Sequence, residues 1–498
     1  MRLGVIVLSL LALVPAAAAE PEATLRTYAL IVANNQSLLP TRESLRFADD
    51  DGVRYAELFR ASGAAVSLYA VLDADTQRLY PEEVAAATPP TRAALLAGLE
   101  HLFVAMRRDH AAGERVVFYF VFSGHGETTE DGEGYVHLLD AKLTRDDLFA
   151  EVIARSPADL NHVIIDACNA YFMVAERGAQ AQPAGNYGSL IKSFVSRSKL
   201  GAYPNTGVLL STASASEVHE WGRIEAGIFS HELRSALAGA ADADGNGAVD
   251  YDEAAAYLAA ANGALPDRRT RLQVFARAPA RNVAEPLMRL SASGARLSVP
   301  PSVAGRYSIE DDRGVRYADF NSSNDAGVEL RLVPRPLYYV RGDAGEYRLE
   351  PAEVGSSYDL ATLTPQPARL ALRGSANDAF ARYLFGVPFG PQFVAGYRQA
   401  QLLVVTGPES SVEARLEPPV RPWRYGATTA AVTLGVASGV LEWLARGAAA
   451  DYRNAAGSTG EVAQYRDRAE GYHRLALFGG GLSVSAAITA AGLYWLER

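Results

Sequence analysis

Two short apolar runs constrain this chain more than anything else in it. Val116-Val-Phe-Tyr-Phe-Val-Phe122 and His162-Val-Ile-Ile-Asp-Ala-Cys168 are built of β-branched and aromatic residues. Runs of this length and continuity belong to strands buried on both faces of a parallel sheet. The first ends in Ser123-Gly124-His125-Gly126, and the second ends in Cys168, the one cysteine among 498 residues. If the strands are neighbours, an imidazole and a thiol emerge together at the carboxyl edge of the sheet, where open α/β sheets place their active sites. A thiol beside an imidazole can carry out nucleophilic attack on a carbonyl. The glycines flanking His125 let the backbone turn and bring its N–H groups close to a ligand.

Around these runs the pattern alternates. Strands read at 28–34, 64–72, 115–122, 161–167 and 206–213, and helices at 47–62, 91–107, 144–154 and 229–239. Alternation of this kind predicts an α/β domain over 26–262, with a mostly parallel sheet flanked by helices. Within it, Phe122-Ser-Gly-His125-Gly and Asp166-Ala-Cys168 resemble the catalytic dyad of the caspase-like cysteine peptidases, a group that takes in caspases, metacaspases and bacterial relatives. Tyr28-Ala-Leu-Ile-Val-Ala-Asn-Asn35 is similar to the family's first strand, and Glu220-Trp221-Gly-Arg223 with Gly227 to Leu233 to its substrate-binding loop and following helix.

The resemblance implies Cys168 as nucleophile, His125 as acid and base, and the N–H groups of Gly126 and Cys168 as the oxyanion hole. It also implies a specificity pocket. Asp166, two residues before the cysteine, matches the metacaspase pattern, and Asp49, Asp50 and Asp51 are expected in a loop bordering the same pocket. Carboxylates of this kind recognise Arg or Lys at P1, the residue before the cut bond. Arg46 and Arg223 match the pocket arginines of caspases and pull toward an acidic P1, with Trp221 beside them. A basic P1 is the favoured expectation. Tyr171 departs from the family, being bulky where metacaspases have glycine. The alternative is a catalytically silent caspase-like scaffold or peptide-binding module.

Asp242-Ala-Asp244-Gly-Asn246-Gly247-Ala248-Val-Asp250-Tyr-Asp-Glu253 fits a calcium loop of EF-hand type. Asp242, Asp244, Asn246 and Asp250 supply oxygen side chains, Ala248 a carbonyl, Glu253 a bidentate carboxylate, and Gly247 the turn. The expected cofactor is therefore Ca2+, in a structural role. The other histidines show no ligand spacing.

Beyond the α/β domain, 263–300 reads as a linker and 301–407 as a small all-β domain, from runs such as Val328-Glu-Leu-Arg-Leu-Val and Tyr338-Tyr-Val-Arg. Residues 427–496 read as a C-terminal helical hairpin that attaches the protein to a membrane. Leu475 to Leu496 is a charge-free run of 22 residues, and five arginines (446, 453, 466, 468, 474) lie between its two apolar segments. Residues 1–19 have the layout of a secretion signal, which sets the expected location at the periplasmic face of a bacterial inner membrane. A net charge of −10 argues against nucleic acid as a partner and leaves peptide or protein substrates. The polar loop 171–203 contains Arg177, Lys192, Arg197 and Lys199, sites where an enzyme with a basic P1 preference could cut itself.

Overall fold

The computed structural model describes residues 24–406 apart from 169, 175–198, 212–219, 267–270, 273, 292–293, 352–354 and 368–378. The expected signal, the helical hairpin and most of the 171–203 loop lie outside the described residues. Among the described residues no helix is long and apolar enough to cross a membrane.

The chain opens with β1 (Leu25–Asn34), α1 (Ala48–Ala61), β2 (Ala65–Ala70), the short α2 (Ala74–Leu79) and α3 (Arg92–Ala111). β3 (Arg115–Gly124) follows, then a hairpin sheet of β4 (Gly126–Thr128), β5 (Gly134–His137) and β6 (Lys142–Thr144). α4 (Arg145–Asp147) runs on as a wider helical turn to Ile153 before β7 (Leu160–Asp166) and β8 (Thr206–Ser211). A two-residue ladder, β9 (Glu220–Trp221) with β10 (Ala226–Gly227), leads into α5 (Ile228–Ser235). β11 (Ala248–Val249) and α6 (Tyr251–Gly263) complete the α/β region.

The central sheet has the order β12-β8-β7-β3-β1-β2. Every neighbouring pair is parallel except β12 (Val274–Arg277), which runs antiparallel to β8. Both faces are buried, and successive residues alternate between them. On β3, Val117, Tyr119 and Val121 enter one core, while Phe118, Phe120 and Phe122 enter the other. This period of two on a fully buried strand is why the sequence shows a continuous apolar run.

Residues 263–300 are not a plain linker. β12 edges the main sheet, and β13 (Met288–Arg289) pairs with β11. β14 (Ala295–Val299) begins the β region, which continues through β15 (Arg306–Asp311), β16 (Arg316–Asn321), β17 (Val328–Leu332), β18 (Tyr338–Gly342), β19 (Gly345–Leu349) and β20 (Ser357–Asp359). These form a three-stranded sheet, β17-β14-β20, and a four-stranded one, β16-β15-β18-β19. Leu297, Leu330, Ile309, Phe320 and Val340 from the two sheets share one core with Phe59 of α1, Leu233 of α5 and Tyr257 of α6. The short α7 (Ala379–Tyr383) and α8 (Pro391–Thr406) close the described chain, with Phe389 and Val394 in that same core.

Candidate active site

β3 and β7 are neighbours in register, ending at the pair Ser123↔Asp166. His125 and Cys168 each lie two residues past that pair, so both emerge at the same level of the sheet edge. A Cβ on Gly126 would meet the Cys168 carbonyl at 2.3 Å and the Ala167 Cβ at 2.9 Å, so only glycine allows β4 to start this close to the cysteine. His137 N donates to the His125 carbonyl at 3.0 Å, which makes 125 and 137 a hydrogen-bonded pair across β4 and β5. By the alternation of an antiparallel ladder, the Gly126 N–H then faces away from β5.

His125 is buried, and its Nε2 has no hydrogen-bond partner among the described residues. Burial pushes its pKa down to about 4, helped by the charge of Arg42 and opposed by the facing Glu43 carbonyl. The imidazole is therefore neutral at pH 7. Cys168 is partly exposed. Burial pushes its thiol up, against the pull of Arg42.

His137 carries no motif in the sequence, yet its ring centroid lies 5.7 Å from that of His125. It stacks on Tyr135 at 5.4 Å and accepts from Leu38 N at Nδ1, 3.0 Å away. Only the pairing of β4 with β5 brings it there.

The expected pocket residues divide. Asp51 and Asp166 converge on Gly227, where a Cβ would lie 2.9 Å from one carboxylate and 3.0 Å from the other. Asp51 accepts from Gly227 N at 2.8 Å and from Arg234 at 2.9 Å. Asp166 accepts from Ser230 N at 3.2 Å and Ser230 Oγ at 2.6 Å. Burial raises both carboxyls, Asp51 to about 8 and Asp166 to about 6.

Two expectations are corrected here. Asp49, Asp50 and Asp51 form the first turn of α1 rather than a loop, and all three are buried. Asp49 turns to Asn35 Nδ2 at 2.6 Å and Asp73 N at 2.7 Å, away from Gly227. Trp221 is a core residue, 9% exposed, with its ring 6.1 Å from that of Phe380 in α7, rather than a free pocket wall. Arg46 and Arg223 are exposed. The Arg46 guanidinium sits over the Phe47 ring at 4.9 Å, and Arg223 lies on the turn between β9 and β10.

Glu220 opens the run Glu220-Trp221-Gly-Arg223 and has a role there that no local pattern announces. Its carboxylate accepts from Arg46 N and Phe47 N at 3.0 and 2.9 Å, and its charge reaches Asp166.

At the 242–253 loop, Asp242, Asp244 and Glu253 each bring a carboxylate oxygen within 4.8 Å of the others. Asp242 accepts from Asn246 N at 3.1 Å and Gly247 N at 3.0 Å. Asn246 Oδ1 accepts from Ala248 N at 2.8 Å. Asp250 Oδ1 caps α6 through Glu253 N, while Glu253 Oε2 accepts from Asp250 N. Gly245 and Gly247 take φ of +72° and +78°, so the loop coils tightly around a centre rimmed with hard oxygen donors. Such donors suit a hard divalent cation.

Residues 26–271 match the family model of the caspase domain (Peptidase_C14), so this part of the chain is a caspase-family domain. Among solved structures, a structural-genomics protein from Geobacter sulfurreducens is 17% identical, covering 53% of this chain and 100% of its own, at a TM-score of 0.31. Caspase-1 from Spodoptera frugiperda is 13% identical, covering 45% of this chain and 74% of its own, at a TM-score of 0.27. No curated protein matches the chain. The assignment rests on the family model. The family is one of cysteine endopeptidases, which implies peptides or proteins as substrates.

Proposed function

We propose that the protein is a cysteine endopeptidase in which Cys168 attacks the scissile carbonyl and His125 moves the proton, with cleavage after basic residues. The observation that carries this reading is the common level of His125 and Cys168 beyond the Ser123↔Asp166 pair. His125, neutral at pH 7, takes the thiol proton as the sulfur–carbon bond forms. The N–H groups of Gly126 and Cys168 hold the charge that develops on the carbonyl oxygen. The carbon–nitrogen bond then breaks, His125 gives its proton to the leaving amine, and water hydrolyses the thioester with His125 again as base.

A basic P1 is supported by the Asp166 carboxyl beside Gly227, raised only to about 6 and so mostly ionised at pH 7, with the Glu220 charge next to it; Asp51 is already held by Gly227 N and Arg234. Calcium in the 242–253 loop is supported by the convergence of Asp242, Asp244 and Glu253, with Asn246, the Ala248 carbonyl and Asp250 completing the donor set. Bound calcium would offset the mutual repulsion of these carboxylates and fix the start of α6. Export and a membrane tether at 427–496 rest on the sequence alone.

The test uses the full-length protein under reducing conditions. Fluorogenic peptides with P1 Arg, Lys, Asp or Asn are offered to the wild type and to Cys168→Ala, with calcium or with a chelator. Turnover of Arg or Lys peptides that vanishes in Cys168→Ala is the expected result. Turnover of Asp peptides keeps the enzyme and overturns the pocket assignment. No turnover of any peptide by folded, calcium-loaded protein puts the silent scaffold in its place.

A further inference from the structure

α8 touches the 242–253 loop through a guanidinium. Arg398 Nη2 donates to Asp250 Oδ2 at 2.6 Å, and Arg398 Nε donates to Asp252 Oδ2 at 3.2 Å. Asp250 is the ninth residue of the loop, a position that meets calcium directly or through a water. Its other oxygen, Oδ1, already accepts from Glu253 N at 2.7 Å as the cap of α6. Oδ2 is therefore the oxygen left for a metal, and it is the one that Arg398 holds.

Two kinds of contact dock α8. Val394 lies in the shared core, and Phe393 and Tyr397 pack against it. The Arg398 pair comes next, and past it Gln399 and Ala400 are exposed. The apolar anchor fixes the first turns of the helix, and the ion pair fixes the turns that follow.

We propose that Arg398 competes with calcium for Asp250: metal and guanidinium share one carboxylate oxygen, so filling the loop loosens the outer turns of α8, and a docked α8 weakens the metal. The inference rests on the 242–253 loop being the calcium site. A guanidinium on Oδ2 puts positive charge where the metal or its water must approach, and like charges that close repel. Without metal, the carboxylates of Asp242, Asp244 and Glu253 repel one another, and Arg398 offsets part of the loop's negative charge. Linkage makes the two effects equal in size: the factor by which a docked helix weakens calcium is the factor by which calcium weakens docking. With side chains 44% and 31% exposed, the Arg398–Asp250 pair is a weak one, so the factor lies at the low end of such couplings, about fivefold. The result is a loop that fills where calcium is plentiful and frees the end of α8 when it does.

The experiment uses the full-length protein, first stripped with a chelator. Calcium is titrated in by calorimetry, and amide hydrogen exchange over residues 398–406 is followed by mass spectrometry with and without saturating calcium. Both are measured on the wild type, on Arg398→Gln and on Arg107→Gln, which removes the same charge from an exposed pair with Glu100 on α3.

Arg398→Gln is expected to bind calcium about fivefold more tightly, and Arg107→Gln to bind it like the wild type. Calcium should speed exchange at 398–406 about fivefold in the wild type and leave the already faster exchange of Arg398→Gln unmoved. Wild-type or weaker affinity in Arg398→Gln overturns the proposal and leaves the calcium reading standing. Tighter binding without a calcium effect on wild-type exchange overturns it too, being the pattern of bare charge repulsion, as does equal tightening in Arg107→Gln. If Arg398→Gln does not fold, wild-type exchange decides, and exchange that calcium slows or leaves unchanged sinks the proposal. Calcium bound by none of the three proteins removes the calcium reading and this proposal together.

Discussion

His125 sits where water does not reach, and burial lowers its pKa to about 4. The sign of the pH effect follows. Above about pH 4 the ring is neutral and can accept the thiol proton; below it the ring is charged and cannot. The acid limb of kcat/KM should therefore fall near pH 4 rather than near the ordinary imidazole value of about 6.5. A pH–rate profile on the best fluorogenic peptide checks this. Gly126 is the second residue with a sharp expectation. Gly126→Ala pushes a methyl group into the Cys168 carbonyl, 2.3 Å away, so the backbone there must shift; it should lower kcat/KM by ~100-fold and lower the thermal midpoint as well. At this scale the placement of His125 and Cys168 at one sheet edge was legible, because each follows an apolar run that announces a buried strand. His137, Arg42 and Glu220 were not, because they reach the site from segments distant in sequence and have no local pattern of their own.

Two helices that frame the site borrow their N-terminal caps from other elements. α1 has no cap from its own Phe47; Asn35 Oδ1 accepts from Ala48 N at 2.8 Å, and Glu220 takes the preceding N–H groups. α5 likewise receives Asp166 at Ser230 and Asp51 at Gly227. The Asp166 carboxylate assigned to substrate thus also holds the first turn of α5, which fixes the pocket's shape. Glu220→Ala leaves two N–H groups of the α1 entry without their acceptor and should cost about 1–2 kcal/mol, read as a lowered thermal midpoint. The 242–253 loop has its own expectation. Calcium at about 100 times its dissociation constant should stabilise the wild type by about 2.7 kcal/mol, and Glu253→Gln should abolish most of the shift in a melting curve. The local signals of this loop are complete in the sequence because its donors lie in a run of 12 residues, Asp242 to Glu253.

The β region and the α/β domain are built around a common core. Buried polar contacts tie them as well. His231 Nε2 of α5 donates to Asp319 of β16 at 2.8 Å, Asp319 N donates to Ser235 Oγ at 3.1 Å, and Tyr257 of α6 donates to the Asp319 carbonyl. Burial lowers His231 to about 4, so this is a neutral imidazole bound to a carboxylate at pH 7. The β region therefore buttresses α5, the helix that holds Asp166. A chain ending at residue 300 would leave Phe59, Leu233 and Tyr257 facing water. It should bind a hydrophobic dye and lack a cooperative melt, whereas the full chain should melt these parts together. A sharp, independent transition in the shortened chain would count against the shared core.

Strand periodicity, the placement of the lone cysteine and the spacing of oxygen donors in the 242–253 loop are local properties, and the sequence by itself determined them along with the α/β class. Only the tertiary structure decided which carboxylates meet, that Trp221 belongs to the core, that residues 274–277 complete the main sheet, and that His137 stands beside His125. Each of those depends on which surfaces pack together. Burial of apolar faces across long sequence separations sets that packing, and no single segment of the chain records it.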